Sequence, residues 1–115
     1  MEFELTKNPR YKAIRAQVNG TITIENAQSF EKDLIRDTFF AEYQLIGLDL
    51  TGVKHMDSSG IGALIRINQA AKNEQKRIVV IGLSSPVEKI FNMTQLGKVL
   101  EVKPASEFSD EFVIS

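Results

Sequence analysis

Alternating apolar and polar residues open the chain and predict an N-terminal β-hairpin. Phe3 and Leu5 alternate with polar neighbours in a short first strand, and residues 11–18 alternate less regularly in a second. The pair Asn19-Gly20 comes next and favours a type I′ turn, which needs a positive φ at both central positions. Residues 21–24, Thr-Ile-Thr-Ile, then predict the returning strand.

Two segments predict helices by their spacing. Asn26 is a suitable N-cap for a helix with apolar residues at positions 27, 30 and 34, extending to about Ala41. Beyond residue 60, apolar and small residues recur every three or four positions and predict a second helix. The inner face of that helix consists of Ile61, Leu64, Ile65, Asn68 and Ala71.

Two almost entirely apolar segments, 44–50 and 77–83, are typical of strands covered on both faces. After the second, Ser85-Pro86-Val87-Glu88 predicts a helix start, with a capping box and a proline at the first position. Gly97 is expected to end that helix. Residues 98–102 then predict a last short strand, and residues 104–113 a last amphipathic helix.

The order of these elements predicts the fold class. Strands that alternate with helices indicate a largely parallel sheet, which the opening hairpin makes mixed. We therefore expect an α/β fold: a mixed four- to five-stranded sheet that opens with a β-hairpin and is flanked by about four helices. The length, 115 residues, favours a single domain over 1–115.

Composition narrows the function classes. The net charge is −1, and the 14 Lys and Arg are scattered among 15 acidic residues, so we expect no nucleic-acid partner. The chain has no cysteine, which excludes disulfides and thiolate metal sites. No apolar run approaches the ~18 residues of a membrane span, and the first residues do not resemble a signal peptide. We expect a cytoplasmic protein without membrane insertion.

The most informative stretch is MDSSGIGAL, residues 56–64, which follows a predicted buried strand and begins a predicted helix. That edge of an open α/β sheet is where such folds place their sites. A serine hydrolase needs a G-x-S-x-G turn and a distant histidine. Here Met56-Asp57 precedes the serines, and the only histidine, His55, is expected in the strand-to-helix loop. Hydrolysis is therefore disfavoured, and we expect no catalytic residue.

The glycines of this stretch allow two interpretations. Gly60-Ile61-Gly62 lacks the third glycine of a dinucleotide-binding loop and has no phosphate-binding lysine nearby. The alternative is packing, since small residues at 60, 62 and 63 let a helix approach the sheet closely. We expect neither a bound cofactor nor a metal.

The serines also allow two interpretations. Asp57 or Ser58 can simply cap the helix. Alternatively, a serine is the substrate of a kinase, because a phosphate at a helix N-terminus faces unpaired N–H groups and the positive end of the helix dipole. The added charge of about −1.5 to −2 would then lie beside Asp57 and disfavour a bound partner.

The stretch LDLTGVKHMDSSGIGALI, residues 48–65, resembles the signature of STAS domains, in particular bacterial anti-sigma factor antagonists. The similarity continues through IVVIGLSSPVEKIFNMTQLGKVLEV, residues 78–102, and extends along the whole chain. It implies a mixed sheet with helices beside it. Many antagonists carry an aspartate in the loop where this chain has Thr23, so that part of the partner surface is expected to differ.

The resemblance also implies partner switching. An unmodified antagonist binds an anti-sigma factor that is also a serine kinase, and so releases the sigma factor; phosphorylation breaks the complex, and a metal-dependent phosphatase of the PP2C type restores it. By position, the phospho-acceptor is Ser58, within a switch motif of Asp57, Ser59 and Gly60. The implied partner-binding residues are Thr23, Asp57, Ser58, Ser59, Ile61 and Gly62.

Two other functions remain open at this point. A STAS domain can serve without phosphorylation, as a constitutive scaffold subunit of a signalling assembly or as the soluble partner of a membrane lipid transporter. A small-molecule or nucleotide binder using the same helix N-terminus is the third, and the missing lysine and third glycine argue against it.

Overall fold

The computed structural model describes residues 3–104, which form a mixed five-stranded β-sheet and three α-helices. The strands are β1 (Phe3–Asn8), β2 (Ala13–Ile22), β3 (Leu45–Met56), β4 (Arg77–Leu83) and β5 (Glu101–Lys103). The helices are α1 (Ala27–Thr38), α2 (Ser58–Asn73) and α3 (Ser85–Thr94). This confirms the predicted α/β class; apart from its first residue, the helix expected over 104–113 lies outside the described residues.

The strands lie in the order β1-β2-β3-β4-β5. Strand β1 runs antiparallel to β2, with Phe3 opposite Val18, and the other neighbouring strands are parallel. Helices connect the parallel strands, as βαβ crossovers require. The carboxyl ends of β2, β3 and β4 therefore meet at one edge of the sheet, and α1, α2 and α3 each begin there.

The opening hairpin exists, but its turn is not at Asn19-Gly20. Strand β2 continues through this pair. Asn19 lies opposite Gly52 and Gly20 opposite Val53 of β3, and the parallel register shifts on either side of the pair. Gly20 has a φ of +100°, but Asn19 has no positive φ, so the predicted type I′ turn does not form. The hairpin turn is instead the 3₁₀ segment Pro9–Tyr11 with Lys12 in the left-handed region. The long partner strand β3 keeps β2 extended through its glycine.

One apolar core fills the space between the sheet and the helices. Alternate residues of β2, β3 and β4 face it, including Val18, Leu48 and Val80. Phe30 of α1 and Phe91 of α3 pack into the same core, which joins the helices to one face of the sheet. A smaller buried cluster of Ala13, Val79 and Ile81 lies on the opposite face, as the alternation of side chains along a strand requires.

Two predicted helix ends need correction. The N-cap of α3 is Ser84, whose Oγ accepts from the Val87 N–H at 3.4 Å; Ser85 is the first helical residue, so the predicted capping box is wrong. Gln95, in the left-handed conformation, ends α3 in place of Gly97, which lies in the 3₁₀ segment Leu96–Lys98.

The start of α1 is confirmed, although its cap works differently. Asn26 precedes the helix, but its side chain makes no capping bond to the helix. It closes the preceding loop instead: its Oδ1 accepts from the Thr23 N–H at 2.9 Å and its Nδ2 donates to the Thr21 carbonyl at 2.8 Å. The helix ends at Thr38, before the expected Ala41.

Candidate functional site

The MDSSG stretch lies where β3 passes into α2, at the carboxyl edge of the sheet. Asp57 is the N-cap of α2, as one of the two sequence interpretations predicted. Its Oδ1 accepts from the Ser59 N–H at 2.9 Å and from the Gly60 N–H at 3.2 Å. This carboxylate therefore satisfies two of the N–H groups that the first turn of any α-helix leaves without an intrahelical acceptor.

The same carboxylate reaches a second element. Its Oδ2 accepts from the Ile24 N–H at 3.0 Å, and the Asp57 N–H donates to the Ile22 carbonyl at 3.2 Å. Asp57 thus fastens the β2–α1 loop to the start of α2. Residues far apart in sequence form one surface through this single side chain.

The surroundings of Asp57 favour its ionised form. Burial opposes ionisation, but the N–H donors of Ile24, Gly60 and Ser59, with a smaller contribution from the charge of His55, outweigh it and lower the pKa of Asp57 below its usual value. Asp57 is therefore negatively charged at neutral pH.

Ser58 is the first residue of α2 and is exposed, next to the Asp57 carboxylate. Ser59 is half-buried. From the sequence, a phosphate at this position is expected to face unpaired N–H groups. That expectation is wrong for the Ser59 and Gly60 N–H groups, because Asp57 already accepts from both. A negative group on Ser58 would meet an ionised carboxylate instead.

The glycines divide into one packing position and one surface position. A Cβ on Gly60 would lie 2.4 Å from the Ile22 carbonyl oxygen, so glycine is what lets α2 approach β2 closely. Ala63 is fully buried in the same way. A Cβ on Gly62 would contact only the Arg66 side chain, so the packing interpretation is confirmed for Gly60 and Ala63 and is wrong for Gly62.

His55 lies on β3 and not in the expected loop, because β3 continues to Met56. Its side chain is exposed, and within the described residues it makes no hydrogen bond to Ser58 or Ser59. The arrangement of a serine nucleophile with its base is thus not formed here. Met56 is 1% exposed and packs in the core.

The structure brings the predicted partner-binding residues together. Thr23 is next to Ile24, whose N–H contacts Asp57, and Ile61 is half-buried and packs against the core one turn after Ser58. Gly62 is half-buried beside Arg66. The predicted residues therefore lie on one side of the molecule, around the start of α2.

The sequence did not predict Ile24 as a surface residue, nor the groove beside it. Residues 21–24 predict a returning strand, but β2 ends at Ile22, and the Ile24 side chain is 77% exposed. A groove of about 420 Å³ lies between α1 and α2, next to Ser59. Its lining residues are Ile24, Ala27, Gln28, Glu31, Ser59 and Arg66. The alternation of Ile and Thr predicts a strand where this loop lies. Asn26, which follows the alternation, is the sequence feature that could have indicated a loop.

Residues 3–104 contain no group of three or more His, Asp or Glu side chains placed to hold a metal ion. No helix in that range is long and apolar enough to cross a membrane.

Comparison with known proteins identifies relatives of this chain. An anti-sigma-B factor antagonist of Listeria monocytogenes is 32% identical over 59 residues, which are 51% of this chain and 52% of the relative; the chain thus spans about half the length of the curated relative it matches. The unphosphorylated form of the anti-sigma factor antagonist SpoIIAA has a TM-score of 0.68 at 18% identity, covering 96% of this chain and 94% of SpoIIAA.

The same fold occurs inside a larger protein. The murine anion transporter Slc26a9 gives a TM-score of 0.75 at 16% identity, covering 93% of this chain and 22% of the transporter. These structural likenesses show the fold. The STAS domain family matches residues 3–109, nearly the whole chain, and we conclude that this protein belongs to the STAS domain family.

Proposed function

We propose that this protein is an anti-sigma factor antagonist, acting as one domain over 1–115. It binds a cognate anti-sigma factor that is also a serine kinase, and so releases a sigma factor. Phosphorylation of Ser58 turns this binding off, and a PP2C-type phosphatase restores it. The protein acts in the cytoplasm as substrate and ligand, without catalysis of its own, cofactor or metal.

One observation carries this proposal: Ser58 is exposed at the first position of α2, directly beside the ionised Asp57. Exposure lets a kinase reach the hydroxyl. Asp57 is held by N–H donors from both α2 and the β2–α1 loop, so it cannot turn away from a new charge without breaking those bonds.

Two relatives support the proposal. The Listeria monocytogenes protein is named an anti-sigma-B factor antagonist, and SpoIIAA has been solved in a phosphorylated form whose TM-score to this chain is 0.66 at 17% identity. A domain of this fold can therefore carry a phosphate while folded.

The magnitude of the switch follows from electrostatics. A phosphoryl group adds a charge of about −1.5 to −2 next to Asp57. In a contact surface, this repulsion and the desolvation of the phosphate are expected to cost a few kcal/mol, and each ~1.4 kcal/mol is tenfold in affinity. A partner bound in the micromolar range would therefore be released.

We expect Ser58→Ala to bind the anti-sigma factor as tightly as the unmodified protein and to resist phosphorylation. Ser58→Asp should bind roughly tenfold or more weakly, because it places a charge beside Asp57. Isothermal titration calorimetry against the purified anti-sigma factor of the same organism measures the affinities of both variants. Asn92→Asp, an exposed position on α3, adds the same charge elsewhere and should bind normally.

Two results would overturn the switch. One is normal binding by Ser58→Asp. The other is the absence of a phosphoryl group on Ser58 under every growth condition, measured by intact mass and phosphosite mapping of protein from native cells.

The fold match to Slc26a9 favours a second candidate, a separate subunit of a membrane transporter or a scaffold that is not phosphorylated. This function needs no modification of Ser58. A serine unmodified in all conditions, together with Ser58→Asp behaving as the unmodified protein in binding, would favour it.

A further inference from the structure

An apolar side chain stands exposed beside the proposed phospho-acceptor. Ile24 is 77% exposed, and among the described large apolar residues only Met93 is more exposed. Leaving a β-branched side chain in water forgoes the favourable free energy of burying it. An exposed isoleucine by itself is unremarkable, so its meaning depends on its setting.

The loop that presents Ile24 is held in place by hydrogen bonds. The Thr23 carbonyl accepts from the Asn26 N–H at 3.0 Å and from the Ala27 N–H at 2.7 Å. The Asn26 side chain bonds to the backbone of Thr23 and Thr21, and Asp57 accepts from the Ile24 N–H. A side chain on a fixed loop loses little conformational entropy on binding, which is the property of a preorganised contact residue.

Ile24 also lines the groove of about 420 Å³ between α1 and α2, whose other wall includes Ser59. The charges of this groove are paired with each other, since Arg66 Nε donates to Glu31 Oε1 at 2.7 Å. The lining is mixed: Ile24 and Ala27 are apolar, and the other lining side chains are polar or charged. It suits a segment of a protein partner that places one apolar side chain against Ile24 and makes polar contacts along the rest of the groove.

The position of the groove identifies that partner. A kinase that transfers a phosphoryl group to Ser58 must bring its catalytic groups into contact with the Ser58 hydroxyl and exclude water around it. Ser59 follows Ser58 in the chain, and the Ile24 loop is bonded to Asp57, which precedes Ser58, so both lie within the area such a partner must cover.

We infer that Ile24 and the α1–α2 groove form one half of the surface that binds the anti-sigma factor/serine kinase, with Ile24 as its apolar anchor; the other half is the start of α2 around Ser58. This inference rests on the proposed function and adds contact residues that the sequence motif does not contain. Asp57 links the two halves: it holds the Ile24 loop with one oxygen and the start of α2, beside Ser58, with the other.

The test compares matched variants against the purified anti-sigma factor of the serine-kinase class from the same organism. Ile24→Gln removes the apolar branch but keeps the backbone N–H that Asp57 accepts from. It should bind roughly tenfold more weakly in calorimetry, as expected for a contact anchor. Met93→Gln makes the same kind of change at an exposed site on α3 and should stay within about twofold.

A second pair tests the groove itself. Gln28→Trp should fill the groove and weaken binding roughly tenfold or more. Ser29→Trp, the next exposed residue of α1, does not line the groove and should bind within about twofold of the unmodified protein. Thermal unfolding of all four variants checks that each is folded.

The outcomes separate this inference from the proposed function. If Ile24→Gln or Gln28→Trp binds as the unmodified protein while Ser58→Asp is weakened, the inference is wrong and the proposed function stands. If the unmodified protein binds no anti-sigma factor, both are wrong. Weakening by Met93→Gln or Ser29→Trp equal to that of their counterparts would also overturn the inference.

Discussion

At the scale of single residues, two glycines of the same helix have opposite environments. Gly60 faces the backbone of β2 and the Met56 Cβ, neither of which can move without displacing α2. We expect Gly60→Ala to lower the free energy of unfolding by about 1–3 kcal/mol, the usual cost of overpacking. Urea unfolding followed by circular dichroism measures this change.

Gly62→Ala is the matched control. Its new methyl group would meet only the end of the flexible Arg66 side chain, at 3.1 Å, which can move aside. Alanine is favoured over glycine in a helix by about 0.8–1.0 kcal/mol, so we expect this variant to be as stable as the unmodified protein or slightly more stable. Equal destabilisation by both substitutions would contradict the assigned packing.

At the scale of elements, Ser84 connects α3 to the central strand. Its Oγ accepts from the Val87 N–H and donates to the carbonyl of Val53 in β3. Ser84→Ala removes the cap and leaves that carbonyl without this donor, so we expect a loss of about 1–2 kcal/mol in the free energy of unfolding. Chemical denaturation provides the measurement.

Ser85→Ala separates the two possible caps. Ser85 was the capping residue expected from sequence, but it is exposed and is the first residue of the helix. Its substitution should change stability by no more than about 0.5 kcal/mol. A larger loss of stability in Ser85→Ala than in Ser84→Ala would contradict Ser84 as the cap and favour the capping box predicted at Ser85.

At the scale of the whole molecule, a buried carboxylate makes the free energy of unfolding depend on pH. Asp49, 2% exposed on β3, accepts from the Thr51 hydroxyl and N–H and pairs with Arg15 of β2. Burial opposes its ionisation, but these donors outweigh burial and lower the pKa of Asp49 below its usual value. The ionised carboxylate joins neighbouring strands, so its protonation bears on global unfolding.

The sign of the pH dependence follows. Because the folded pKa is the lower one, the unfolded chain takes up the proton first, and the stabilisation is complete above an unfolded pKa of about 3.9. It is lost as the pH falls through the folded pKa. We expect stability to change little between pH 7 and about 5 on account of Asp49 and to fall below about 4.

Asp49→Asn should reduce the free energy of unfolding at pH 7 by about 1–3 kcal/mol and flatten the acid decline, since the titrating group is gone. Thermal unfolding as a function of pH measures both effects. Glu42→Gln, at an exposed position, should keep the full decline. If the stability of Asp49→Asn still falls at low pH as in the unmodified protein, other carboxylates cause that fall.

The sequence by itself determines the features of this protein that depend on contacts between residues near each other in the chain. Strand β4 occupies the predicted residues 77–83, because a continuous apolar run reports burial on both faces. Helix α2 begins where its capping Asp57 predicts, because a cap acts within one turn. The motif around Ser58 is likewise a contiguous stretch of the chain, so it indicated the family without the tertiary structure.

The tertiary structure decided what depends on a distant neighbour. Asn19-Gly20 has the composition of a turn, but pairing with β3 keeps β2 extended through it. Two adjacent serines can each begin α3, and the Val53 carbonyl selects Ser84. The loop that carries Ile24 is joined to the start of α2 by Asp57, 33 residues later, which accepts from the Ile24 N–H. Contacts of this kind have no period or spacing, so no local pattern predicts them.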